Sequence, residues 1–226
     1  MLRTPVKMLA AALAAGAVLT ACGPVHLGAA AVMSNERISA STLTHEVANL
    51  NTNYLKYKGK VQLQFQVSQM PQEVLSWLIR FKVADEMAAR NGFSVTPGQI
   101  QLAHDEIKKA AVSQTTHKAV PLQVLAVANG LPPDMLYDLA RYQAIQDVIL
   151  NRLDGGTTPT TTTGTKFASF LCHAAKALDI RVNPQYGRLD YGGGISVIPA
   201  PSDLSASGGA TPSPSPSSSV QLTPHC

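Results

Sequence analysis

The stretch Pro71 to Phe93, PQEVLSWLIRFKVADEMAARNGF, decides the fold. Pro71 suits a first helical position, Leu75, Leu78, Ile79 and Val83 recur at helical spacing, and Asn91-Gly92 supplies a left-handed stop. Trp77 and Phe81 widen the apolar stripe beyond what one packing surface needs. At ~1.5 Å per residue the helix runs on the order of 30 Å, the width of a small domain, so other helices must wrap it.

On its N-terminal side, Ala30 to Met33 reads as a strand and Ser34-Asn35-Glu36-Arg37 as a polar turn. Ser39 is an N-cap in type and place, and Leu43, Val47, Leu50 and Tyr54 follow on one helical face that ends near Lys58-Gly59. Val61, Leu63, Phe65 and Val67 then alternate with Gln62, Gln64 and Gln66, the period of a strand or extended edge segment, with no partner legible. On the C-terminal side, Thr96-Pro97-Gly98-Gln99 is a capping box that opens a helix carrying Ile100, Ala103, Ile107 and Ala111. After the polar break SQTTHK, a short helix runs from Pro121 to Asn129-Gly130. Pro132-Pro133 starts another, with Leu136, Leu139, Tyr142, Ile145, Ile149 and Leu153 on one side. Asp154 to Thr165, DGGTTPTTTTGT, offers nothing to bury and reads as a linker. Phe167, Phe170, Leu171, Ala174 and Leu178 restore helical periodicity, and Ile180-Arg181-Val182 is a short strand stopped by Asn183-Pro184. Past Pro199 the chain turns to Ser, Pro and Gly as far as Cys226, and residues 200–226 are expected to lack fixed structure.

The first residues set the compartment. Arg3 and Lys7 precede an unbroken small-apolar run from Met8 to Ala21, too short for a stable membrane span, so residues 1–21 read as a secretory signal peptide. It ends in Leu19-Thr20-Ala21-Cys22, which resembles the bacterial lipobox. That resemblance implies lipidation of Cys22 on sulfur, with residues 22–29 as a tether, and a protein held by a lipid anchor at the extracytoplasmic face of the cell membrane. Without Arg3 and Lys7, 16 basic side chains face 14 acidic ones, and no basic stripe suggests nucleic acid. Cys172 and Cys226 remain where disulfides can form, and geometry, not sequence, decides whether they pair.

Reactive constellations are thin. His26, His45, His104, His117, His173 and His225 show no two at ligand spacing on one face, so neither a metal nor any other cofactor is expected. Cys172 and His173 diverge by about 100 degrees on a helix, which predicts a buried cysteine beside an exposed histidine. No G-x-S-x-G occurs, Gly192-Gly193-Gly194 lacks the lysine and helix of a phosphate loop and reads as a flexible turn, and the acidic pairs Asp85-Glu86 and Asp105-Glu106 read as solvated faces. Trp77, Phe81, Met87 and Met135 are of the types that make adaptable apolar binding surfaces, but ordinary core is the competing reading, since a buried central helix needs anchors such as Trp77 and Phe81 anyway.

The order of elements resembles the chaperone module of the SurA-type foldases. Val32 with Ile38-Ser39 and Leu43 looks like that family's opening strand and helix, and Leu78-Ile79, Ala88, Gly92, Val95-Thr96 and Ile100 look like its following run. Gly130, Leu136 and Arg141 fit the next helix, and Val182-Asn183-Pro184-Gln185-Tyr186-Gly187 is similar to its closing VNPRFG. The likeness covers about Ala30 to Gly187. It implies a mainly α fold, a helical module over residues 30–190 closed by a small sheet of N- and C-terminal strands. In that family a parvulin-type prolyl isomerase domain is inserted where Asp154 to Thr165 lies, and twelve residues leave no room for one. The resemblance therefore implies a non-catalytic holder of unfolded or exported polypeptides, with Trp77, Phe81, Met87 and Met135 as candidate client contacts. The alternatives are an assembly lipoprotein that docks one envelope partner and a residual peptidyl-prolyl isomerase.

Overall fold

The computed structural model describes residues 28–34, 36–111, 119–153, 161–192 and 194–200, with the side chains of 153 and 161–164 left aside. The expected signal peptide over 1–21, Cys22 and the rest of the expected tether as far as residue 27, the SQTTHK break, residues 154–160 and the tail from 201 lie outside them.

Six helices carry the described fold: α1 (Ala40–Lys56), α2 (Met70–Arg90), α3 (Pro97–Ala110), α4 (Leu122–Ala128), α5 (Leu136–Leu153) and α6 (Thr161–Ala177). Strands β1 (Ala29–Met33), β2 (Glu36–Ser39) and β3 (Arg181–Val182) form one sheet in the order β2-β1-β3, and β4 (Arg188–Asp190) pairs with β5 (Ser196–Ile198) in another. The fold is mainly helical and closed by a small sheet of first and late strands, as the sequence reading has it. Val32 lies opposite Arg181 and Ala31 opposite Val182 in antiparallel register.

Local chemistry explains the helix starts. Ser39 Oγ accepts from the Thr42 amide at 2.9 Å, and Thr96 and Gln99 exchange the two bonds of a capping box. α2 has Pro71 in its first turn and ends at Asn91 and Gly92, the latter at φ +68°. Its Val74, Leu75, Ile79, Val83 and Ala84 have no solvent exposure. α1, α5, α6 and β5 pack around it. A file of rings, Trp77, Phe81, Tyr142 and Phe167, crosses from α2 through α5 to α6 with centroids 5.6, 5.9 and 6.1 Å apart.

The structure corrects the sequence reading in several places. Val61 to Val67 forms no strand: Val61 makes only an isolated bridge to Lys58, and Val67 enters a 3-10 turn. The alternation is nonetheless physical, because Val61, Leu63 and Phe65 are half-buried against the core while the glutamines face water. Glu36 and Arg37 are not turn residues but the start of β2, paired with Met33 and Val32. The linker read over Asp154 to Thr165 is already helix from Thr161, since the docking of Phe167, Leu171, Ala175 and Leu178 outweighs the weak helix propensity of threonine. The core begins earlier and ends later than residues 30–190: Ala29 is buried in β1, and Ile195 and Val197 are buried beyond residue 190. The glycine turn lies within the β4–β5 hairpin, with Gly193 outside the described residues.

Replacing fully buried Ile79 by alanine is expected to cost about 2–5 kcal/mol of unfolding free energy. Replacing Leu102, 61% exposed on α3, should cost less than about 0.5 kcal/mol, and urea unfolding of the two variants checks the contrast.

Candidate functional site

Of the four residues proposed as client contacts, three face the interior. Phe81 is 9% exposed, Met87 2% and Met135 5%, so the expectation that they form an open surface is corrected. Met87 belongs to the main core, while Phe81 and Met135 share a smaller cluster with Ala126 and Leu131. Ala126 of α4 and Leu131 in the turn after it cover Phe81 and Met135.

Trp77 is half-buried at the border of that cluster. Three contacts fix its ring: Nε1 donates to the Asn129 carbonyl at 3.0 Å, the Arg80 guanidinium lies 4.9 Å from the ring centre, and Phe81 packs beside it. The indole borders an apolar groove of about 170 Å³, whose other walls come from Ile107 of α3, Leu122 and Leu125 of α4, and Leu136 and Leu139 of α5. Ligand pockets for cofactor-sized molecules run to about 300–1,000 Å³, so this groove suits two or three side chains of a polypeptide. A larger recess of about 210 Å³ lies between Met33, Glu36, Lys82, Glu86, Arg90 and Leu178. Its charges are spent on each other, Lys82 on Glu36 at 2.9 Å and Arg90 on Glu86 at 2.7 Å.

The groove leucines were not singled out from sequence. Leu136 and Leu139 stand in the same periodic stripe as buried Ile145 and Ile149. What leaves them half-open is the shortness of α4, seven residues, which covers only part of α5.

The polar interior is committed to structure. Ser76, the one buried polar side chain among the described residues, donates to the Gln72 carbonyl at 2.7 Å and accepts from the Val197 amide at 2.8 Å. Burial lowers the pKa of the Arg80 guanidinium, against the opposing influence of Tyr142 and Glu73, and its Nε donates to the Ile195 carbonyl at 2.7 Å. Cys172 is 1% exposed and disulfide-bonded, while His173 is exposed, as helix geometry predicts. Asp85 is not merely solvated, since it accepts from Arg141 Nε at 2.8 Å and ties α2 to α5.

A second cluster sits where α1 meets the turn into α5. Ligand atoms of His45, Glu46 and Asp134 lie within 4.8 Å of one another, and Asn49 Nδ2 donates to Asp134 Oδ2 at 2.8 Å. One imidazole nitrogen and two carboxylates are a donor set that a divalent ion accepts, although His45 and Asp134 are exposed and only Glu46 is half-buried. A search for closely spaced histidine pairs misses this set, because its third member arrives from a distant part of the chain. Glu46 Oε2 has no hydrogen-bond partner and no exposed surface. Burial raises the Glu46 pKa first, and the neighbouring Asp134 carboxylate raises it further.

The chain matches no protein-family model, no curated protein and no solved structure.

A carboxyl that holds its proton more tightly folded than unfolded stabilises the fold at low pH, and that contribution is lost as the pH rises through and above the ordinary glutamate range. Glu46→Gln removes the charge and adds a donor toward Asp134. It should raise the melting temperature at pH 7 and leave it unchanged near pH 4, and equal melting at both pH values would contradict the account.

Proposed function

We propose that the chain is a membrane-anchored, extracytoplasmic, chaperone-like module that binds unfolded or exported polypeptides reversibly, with no covalent step. The observation that carries this reading is the apolar groove beside Trp77, open on one side and walled by three helices. Its lining is aliphatic and aromatic, which takes apolar side chains without selecting a sequence. The resemblance to the SurA-type chaperone module supports the same reading, and the β1–β3 pairing is the closure that resemblance implies. Docking of one dedicated envelope partner is the second reading. The small volume of the groove favours it, since two or three anchoring side chains fill the space.

The lipobox resemblance at Cys22 supports a lipid-anchored position on the membrane. Cys22→Ala should shift the protein from the membrane fraction to the soluble extracytoplasmic fraction, and retention on the membrane would count against the anchor.

Leu122 lines the groove and is only half-buried, so Leu122→Asp puts a charge there with little damage to the core. The unaltered chain should suppress light scattering by a reduced, aggregating client at stoichiometric amounts. The variant should lose most of that suppression while melting within a few degrees of the original. Crosslinking from membranes separates the two readings, a broad client set against one stoichiometric partner.

A further inference from the structure

β5 lies on α2 in the manner of a bound peptide. Val197 of β5 and Ile195 just before it are buried, at 3% and 2% exposure, while Ser196 and Ile198 are half-open. Its backbone is gripped by side chains of α2: Arg80 Nε donates to the Ile195 carbonyl at 2.7 Å, and the Val197 amide donates to Ser76 Oγ at 2.8 Å. Recognition of an extended segment through main-chain groups, with pockets for every second side chain, is the general mode of strand binding and is tolerant of sequence.

Ile195 and Val197 belong to the main core, and Leu189 and Tyr191 pack against it, but as a sheet the hairpin is small. β5 pairs only with β4, over three residues, and isolated two-stranded sheets are marginal in water. The turn into β4 passes Gly187 at φ +126°, where the Ile198 carbonyl leaves no room for a side chain. That conformation is open to glycine and to few other residues, so the close approach of the chain to Ile198 depends on Gly187. Arg80 joins the strand to the groove, since the same guanidinium that holds Ile195 lies over the Trp77 ring.

We propose that the face of α2 bearing Ser76 and Arg80 is a binding site for extended apolar polypeptide, and that β5 is its resident occupant, which an incoming strand displaces. This rests on the reading of the module as a polypeptide binder and adds to it a second, occluded site with β-branched residues preferred at alternate positions.

The test uses the full mature chain and a labelled synthetic peptide of residues 188–199. Ile195→Asp with Val197→Asp unseats β5, so the peptide should bind that variant at least about tenfold more tightly than the unaltered chain, because the competing occupant is gone. Adding Arg80→Ala should abolish the gain. A cooperatively melting variant that binds no better than the original overturns the proposal. Where the variant fails to fold, hydrogen exchange on the unaltered chain decides: saturating peptide should speed exchange of the 196–198 amides and leave those of β1 unchanged, and no change overturns the proposal. The same exchange run on Leu122→Asp separates the two sites. Suppression retained by Leu122→Asp with an intact exchange response removes the groove reading alone, whereas suppression lost by Leu122→Asp with no exchange response in either chain removes the strand site alone.

Discussion

Everything else in the molecule depends on the junction between the first strand and the segment that follows the last helix. Only two residues of β3 pair with β1, but side chains extend the junction on both sides. Asn183 donates its amide to Ala30 and its Nδ2 to Ala29, and Ser34 donates both its amide and its hydroxyl to the Leu178 carbonyl. The loop thus closed contains all six helices, yet closure entropy grows only logarithmically with length, each doubling costing about 0.6 kcal/mol. A handful of bonds plus the burial of Ala30, Ala31 and Leu178 can therefore hold it, provided the helices inside pack densely.

That packing is organised by a helix that cannot face water on any broad side. The apolar residues of α2 require cover all round, and α1, α5, α6 and the hairpin supply it. Where cover is incomplete, beside α4, an opening remains. The candidate groove is thus a by-product of one short helix set over the flank of a long one, with Trp77 at the seam.

What the sequence makes legible follows from how local each cause is. The caps at Ser39 and Thr96, the proline start of α2 and its Asn-Gly end act within four residues, and the structure places them as read. Features that need a distant partner were hidden. The glutamine-spaced run has strand periodicity but no neighbouring strand, and β5 takes its position from Ser76 and Arg80, more than a hundred residues earlier. The threonines that open α6 read as linker because propensity is local, while the core that draws the helix in is not. Phe81, Met87 and Met135 show the same limit: residue type suits both a binding surface and an interior, and only the neighbours decide. His45 and Glu46 meet Asp134 through the fold alone.

The chain contains a single tryptophan, and it is the residue at the groove. Its indole is held between the Arg80 cation and the Phe81 ring, with its N–H on a backbone carbonyl. The molecule therefore carries its own optical reporter. Emission from that one fluorophore senses the polarity of the groove and the seating of the hairpin through Arg80, so occupancy can be followed on the native protein without attaching a dye.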